Sequence, residues 1–254
     1  MTALPYALTG PIGTAGTLGL IVLQVDETVE QDFRRLLPPE VALHVTRIPS
    51  GAELVPDTIA EMEEALPRAA GLLPPAARFS AVGYACTSGA TLIGPARVAE
   101  LVRGATGTQA VTDPFTAALA ALREIGAGSI ALVSPYVETV VAPLVQAFER
   151  EGVAVAEALS FGERVEARVA RIDGGSIREA ARVAARSGAE AIFLSCTNLR
   201  TLDLIDELEG ELGCPVLSSN QVLAWHMARI GGVPLTDRAP GRLNRAGPER
   251  SQGT

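Results

Sequence analysis

Gly83-Tyr84-Ala85-Cys86-Thr87-Ser88-Gly89 and Leu194-Ser195-Cys196-Thr197-Asn198-Leu199 decide the fold. In each stretch an apolar run ends in a Cys-Thr pair and a helical pattern comes next. The two cysteines stand 110 residues apart. A second pair of landmarks lies upstream of them, Asp26-Glu27-Thr28-Val29 and Tyr136-Val137-Glu138-Thr139-Val140, whose Glu-Thr-Val triplets are offset by 111. Two independent landmarks with nearly the same offset indicate an internal repeat.

Working outward, short apolar runs rich in β-branched residues predict strands at 19–23, 41–47, 81–85, 109–112, 129–134, 153–159, 191–195 and 215–218. Helical patterns occupy 27–37, 56–70, 89–103, 114–125, 137–151, 175–187, 199–211 and 219–230. Strand and helix alternating predict an α/β fold with parallel sheets. The repeat divides it into two pseudo-symmetric four-stranded halves, with helices on both faces and the active site between them. The first half takes 16–112 plus the C-terminal helix 219–235, and the second takes 113–218. Residues 1–15 and the aperiodic, Arg-, Gly- and Pro-rich 236–254 read as flexible tails.

Composition removes whole classes of function. The 254 residues carry a net charge of −8 with no basic run, which argues against nucleic acid and anionic membranes as partners. All 21 basic residues are arginine. Without lysine there is no pyridoxal-phosphate Schiff base and no GxxxxGK[ST] phosphate loop. His44 and His226 are the only histidines, too few for a histidine-rich metal site, and no metal is expected. No G-x-G-x-x-G comes after the first strand, which sets a Rossmann dehydrogenase aside. Three cysteines, Cys86, Cys196 and Cys214, form no disulfide framework and fit reduced thiols in a cytoplasmic setting. The first basic residue is Arg34, so a secretory n-region is not expected. No run of about 18 apolar residues suggests a membrane span.

Ligands of parallel sheets bind beyond the carboxyl ends of the strands. A twofold relation places Cys86 and Cys196 there, on opposite sides of one cleft. A helix N-terminus after each cysteine would favour a thiolate and supply amides for a carboxylate. Thr87, Ser88, Thr197 and Asn198 add side-chain donors, and Gly89 lies in the same turn. Facing thiols can move a proton from one face of a small acid to the other. They can also add to a double bond and turn it into a rotatable single bond. A lone buried cysteine is usually an inert packing residue, as Cys214 is read here; the paired placement argues otherwise for Cys86 and Cys196.

At these residues the sequence resembles the aspartate/glutamate racemase superfamily, within it the branch of maleate cis–trans isomerase and arylmalonate decarboxylase. The carriers are Gly83–Gly89, Ser134-Pro135-Tyr136 and Ser195–Leu199, and all but the tails is covered. The resemblance implies a cofactor-independent isomerase or racemase of a small carboxylic acid. In it Cys86 is the base or nucleophile, Cys196 the partner acid, Thr87 and Ser88 a carboxylate site, and Tyr136 a hydroxyl donor. Decarboxylases of this branch have glycine where Cys86 stands. The alternatives are an arylmalonate decarboxylase-like enzyme and a non-catalytic carboxylate-binding protein of the same fold, and a homo-oligomer is allowed. Two positions depart from maleate isomerases. Asp26 stands where they carry a substrate-binding asparagine, and Phe161–Val169 offers Glu163, Arg164 and Glu166 but no second asparagine. Asp26 either caps the following helix or faces a substrate that brings a cation or a donor.

Overall fold

The computed structural model describes residues 2–53 and 56–245. The first half runs β1 (Gly16–Leu23), α1 (Val29–Leu36), β2 (Val41–Ile48), α2 (Pro56–Ala70), β3 (Ala81–Ala85), α3 (Thr87–Ile93), α4 (Pro95–Thr106) and β4 (Val111–Thr112), and α5 (Pro114–Ile125) leads out of it. The second runs β5 (Ser129–Tyr136), α6 (Glu138–Arg150), β6 (Ala154–Glu163), α7 (Glu166–Val169), α8 (Gly174–Ala185), β7 (Ala191–Leu194), α9 (Ile205–Leu212) and β8 (Val216–Ser218), and then α10 (Ser219–Gly231) and α11 (Arg242–Arg245).

Each half holds one four-stranded sheet. The strand orders are β2-β1-β3-β4 and β6-β5-β7-β8, the same order counted from each half's first strand, and every pairing is parallel. Central strands of parallel sheets are covered on both faces and read as continuous apolar runs. Thr17–Leu23 of β1 and Ile130–Tyr136 of β5 are accordingly buried along their whole length. The edge strand β6 is mostly exposed and carries Glu157 and Glu163 among its apolar residues.

The helix that closes each half begins at a side-chain cap. Asp113 Oδ1 accepts from Phe115 N and Thr116 N, both at 2.9 Å, and Ser218 forms a capping box with Gln221 at the start of α10. The helix α10 then packs across β3, β1 and β4 and along α5. The His226 Nδ1 of α10 meets Thr112 Oγ1 at 2.8 Å. On the other side Phe115 of α5 contacts Phe148 of α6, which contacts Phe193 of β7. The closing helices thus form the seam between the sheets.

Three expectations need correction. The helix expected over 89–103 is two helices. Gly94 at φ +94° carries a backbone turn open to glycine, and Pro95 stands next to it at the first position of α4. The helix expected from 199 begins later, with a 3-10 turn at Leu202–Leu204 ahead of α9. Residues 236–245, read as part of a flexible tail, pack on the body instead. Leu243 is buried, Arg242 N donates to Glu209 Oε2 at 2.8 Å, and Arg245 pairs with Asp206 and Glu209. The rest of that tail, 246–254, lies outside the described residues, and residues 2–12 are exposed and belong to no element. Among the described residues no helix is long and apolar enough to cross a membrane.

Candidate active site

The carboxyl ends of β1, β3, β5 and β7 converge at the seam. Cys86 caps α3 from an extended backbone, and its Sγ accepts from Gly89 N at 3.2 Å. Cys196 is placed differently from the expectation, because no helix starts behind it. Residues 197–199 form a turn, and the second thiol takes its contacts from Asn198 N at 3.3 Å and Tyr136 Oη at 3.1 Å.

Both thiols line one enclosed cavity with Leu23, Asp26, Thr87, Ser88, Tyr136, Glu166 and Thr197. The free space holds about one water molecule, so a substrate must part these walls to enter. Of the residues singled out from the sequence, Gly89 and Asn198 do not line the cavity. They stand one layer behind it, each presenting its backbone N–H to a thiol.

Polar side chains lock the halves together here. Ser219, the first residue of α10, accepts from Cys196 N at 3.0 Å and meets Thr87 Oγ1 at 2.8 Å, tying both Cys-Thr loops to one hydroxyl. Thr197 Oγ1 donates to Ala85 O at 3.3 Å. The Asn198 amide accepts from Glu27 N at 2.8 Å and donates to Glu166 Oε2 at 3.0 Å.

Two buried carboxyls face the thiols. Asp26 Oδ1 accepts from Thr28 N and Val29 N, both at 2.8 Å, so it caps the turn that leads into α1, whose own N-cap residue is Thr28. Its Oδ2 is buried without a partner. Capping and cavity-lining therefore coexist in one side chain. Glu166, at the start of α7, was visible in the sequence only as one of three charged residues in a departing stretch. It is 1% exposed, and its Oε1 accepts a hydrogen bond from the Tyr136 hydroxyl at 2.7 Å. Its loop leans on the first half, where Glu166 N donates to Ala52 O at 3.0 Å and Val165 bridges to Glu53. Ser219 had no signal at all, since one more serine after a strand is unremarkable.

This setting holds the thiols neutral. Burial pushes Cys86 up to about 12, with the Glu166 and Asp26 charges adding to it and the Gly89 N–H opposing it. Burial raises Cys196 well above the usual thiol value, and Glu166 adds to that. Burial also raises Asp26 and Glu166, against the hydrogen bonds each accepts. The Tyr136 hydroxyl has one proton. With that proton donated in a hydrogen bond to Glu166, its oxygen is left to accept from the Cys196 S–H.

Twin parallel sheets joined over a pair of buried thiols define an α/β class built around a two-cysteine cavity. The family model for arylmalonate decarboxylase (Amdase) matches residues 95–244, and the chain belongs to that family. It is 30% identical over 244 residues to a maleate isomerase of Nocardia farcinica, covering 90% of this chain and 95% of that one. It is 29% identical to an arylmalonate decarboxylase of Bordetella bronchiseptica, covering 85% and 90%. Among solved structures it resembles a cysteine-to-serine variant of the Nocardia farcinica maleate cis–trans isomerase with a covalently bound succinylcysteine intermediate. That match has a TM-score of 0.79 and 26% identity over 91% of this chain and 98% of that one. A liganded arylmalonate decarboxylase with glycine-to-cysteine and cysteine-to-serine exchanges matches at a TM-score of 0.81 and 27% identity, over 90% and 98%.

Proposed function

We propose that this chain is a cofactor-independent two-cysteine isomerase of a small carboxylic acid, with Cys86 as nucleophile or base and Cys196 as acid. The observation that carries the reading is the meeting of both thiols on one closed cavity between the halves. The relative's succinylcysteine intermediate supports a thiol that forms a bond to carbon.

For a double-bond isomerisation, Cys86 first gives its S–H proton to a carboxylate of the cavity wall, Asp26 or Glu166, and the thiolate adds to one alkene carbon. A C–S bond forms, and the alkene electron pair moves onto the neighbouring carbon, spread into its carboxylate. Cys196 S–H gives that carbon its proton. The former double bond is now single and rotates. Cys196 thiolate takes the proton back, the alkene reforms in the other geometry, and the C–S bond breaks. For a racemisation the same groups act on a Cα–H: Cys86 removes the proton from one face and Cys196 returns one to the other. The phenol of Tyr136 touches the acid thiol and can turn its O–H from Glu166 to donate a hydrogen bond to the thiolate. Thr87, Ser88 and Thr197 line the remaining wall as hydrogen-bond partners for a substrate carboxylate, and Gly89 and Asn198 hold the two sulfurs through their amides.

The decarboxylase reading needs only one thiol. It is disfavoured because Cys86 occupies the position where the resemblance puts glycine in decarboxylases. Proton NMR in D₂O over small dicarboxylates, arylmalonates and amino acids separates the outcomes. Cis–trans conversion or Cα deuterium exchange that requires both cysteines supports the isomerase. Release of CO₂ from an arylmalonate that survives loss of Cys86 would establish the decarboxylase instead.

A further inference from the structure

The cavity carries an unusual charge balance for a site that handles an acid. Among the described residues, none that lines it has a positive side chain, while Asp26 and Glu166 both present carboxyls. The Arg47 guanidinium, whose charge reaches Asp26, gives its hydrogen bonds to the carbonyls of Leu23, Gln24 and Asp26 and to Glu30 and none to the Asp26 carboxyl. Asp26 is 3% exposed, and its Oδ2 is a buried acceptor with no donor within hydrogen-bonding distance; the Thr197 hydroxyl, which also acts on this carboxyl, is directed to Ala85 O. A bare buried acceptor is costly unless something supplies the missing hydrogen bond. The α1 cap uses only Oδ1, so the fold does not need Oδ2 to be left bare.

Resting on the isomerase reading, we propose that this site selects a carboxylic acid bearing a cationic nitrogen, such as a primary ammonium, held between Asp26 and Glu166. The ammonium offers three donors. One completes Asp26 Oδ2, and a second reaches an oxygen of Glu166, which keeps lone pairs after accepting from Tyr136 and Asn198. Burial is the main reason the two thiols stay neutral, and the arrangement lowers the smaller obstacle that the carboxyls add. The two carboxylates disfavour a thiolate in the free protein. A bound cation offsets their charge and removes that penalty only when substrate is present. A dicarboxylate would add negative charge beside both and do the reverse.

The test compares 2-aminobutyrate, 2-hydroxybutyrate and maleate by calorimetry on the full chain, with wild type, Asp26→Asn and Glu166→Gln. Wild type should bind the amino acid at least about tenfold more tightly than the hydroxy acid or maleate. Each variant should lose about tenfold for the amino acid and gain for maleate. Equal affinities in wild type, a preference for maleate, or unchanged amino-acid affinity in both variants would overturn the proposal. Asparagine caps helices about as well as aspartate. If Asp26→Asn nonetheless loses its fold, Glu166→Gln carries the test, since its amide can still exchange hydrogen bonds with Tyr136 and Asn198. Deuterium exchange or isomerisation separates the two claims. Cysteine-dependent turnover confined to acids without a cation sinks the charge selection and leaves the isomerase. Selective amino-acid binding without cysteine-dependent exchange sinks the isomerase and leaves the charge selection.

Discussion

The loop after β3 and the loop after β7 start from the same Cys-Thr pair and then part. Behind Cys86 a helix begins at once, and the sulfur accepts a backbone N–H from its first turn. Behind Cys196 the chain turns without a helix, and the sulfur meets a phenol that is itself bonded to a carboxyl. The residue three places after the cysteine records this difference. It is Gly89 in the first loop and Leu199 in the second. A side chain at 89 would collide with the thiol it serves, whereas Leu199 turns into the core. The repeat thus keeps the position of the sulfur and changes its partners. Each sulfur accepts one backbone N–H, from Gly89 and from Asn198, so the difference lies in the phenol: with its own hydrogen bond given to Glu166, the Tyr136 oxygen accepts the Cys196 S–H and favours a retained proton there. That asymmetry is the physical basis for making Cys86 the nucleophile and Cys196 the acid.

The largest effect that could break this assignment comes from the cysteines themselves. Cys86→Ala and Cys196→Ala should each lower turnover by at least about 10³-fold, equivalent to about 4 kcal/mol in the barrier. Both should stay folded, since removing one thiol is an ordinary point change. Intact-protein mass after a quench with an unsaturated acid distinguishes their roles. An adduct should form in Cys196→Ala and be absent in Cys86→Ala; the opposite pattern would exchange the two assignments.

Gly89→Ala sharpens the comparison from the backbone side. A Cβ at that position would sit 2.9 Å from Cys86 Sγ and 2.7 Å from the Tyr84 hydroxyl, both closer than real contacts. The thiol must shift off its N–H donor, and a fall in turnover of about 100-fold is expected, read as kcat at saturating substrate. If kcat is retained while Tm drops, the Gly89 amide does not set the reactivity of Cys86.

Tyr136→Phe probes the other loop with a smaller expected loss, about 10- to 30-fold in kcat. It removes only the hydroxyl between Cys196 and Glu166. A hydroxyl that matters only to packing would instead shift Tm with kcat unchanged. The loss should also be greater for steps that need the Cys196 proton than for formation of the Cys86 adduct.

The repeat was legible in the sequence because it is written in residue types that have few alternative uses. Cys-Thr at two strand ends and a shared offset were enough for two parallel sheets and for Cys86, Cys196, Thr87, Ser88 and Thr197 around one cavity, while Asp26 and Tyr136 were singled out as site residues through the family resemblance. The turn behind Cys196 was not legible. The pattern of 199–211 is amphipathic and reads as one helix, and nothing local says that Thr197 and Asn198 are held by Ala85, Glu166 and Glu27 instead. The bonds to Ala85 and Glu27 join residues more than a hundred positions apart, beyond the reach of any local pattern. Glu166 was hidden for a related reason. Beside Glu163 and Arg164 it looks like part of a solvated face, and only the lean of its loop on Ala52 turns it inward.

A last, smaller effect tests whether the second loop is braced in a way the first is not. Asn220 Nδ2 donates to Thr197 O and to Asp32 Oδ2, each at 2.8 Å, so a buried carboxyl of α1 stands behind the Cys196 loop. Burial pushes Asp32 up to about 6, chiefly by desolvation against the Asn220 hydrogen bond. Proton uptake sets the sign of the effect. Between the unfolded value near 4 and the folded value near 6 the native state holds the proton more tightly. Stability therefore falls as pH rises through that window, and the cost of the buried charge is complete above it. Asp32→Asn keeps an acceptor for Asn220 and removes the charge. Relative to wild type it should be more stable by about 2 kcal/mol at pH 7.5, or a Tm higher by a few degrees, and the gap should close towards pH 4. Asp32→Ala, which strands the Asn220 amide, should instead be destabilised at both pH values. Thermal melts of the three proteins at pH 4, 5, 6 and 7.5 read this directly. A pH-independent gap between wild type and Asp32→Asn would mean that Asp32 carries no raised proton affinity and that the brace is an ordinary hydrogen bond.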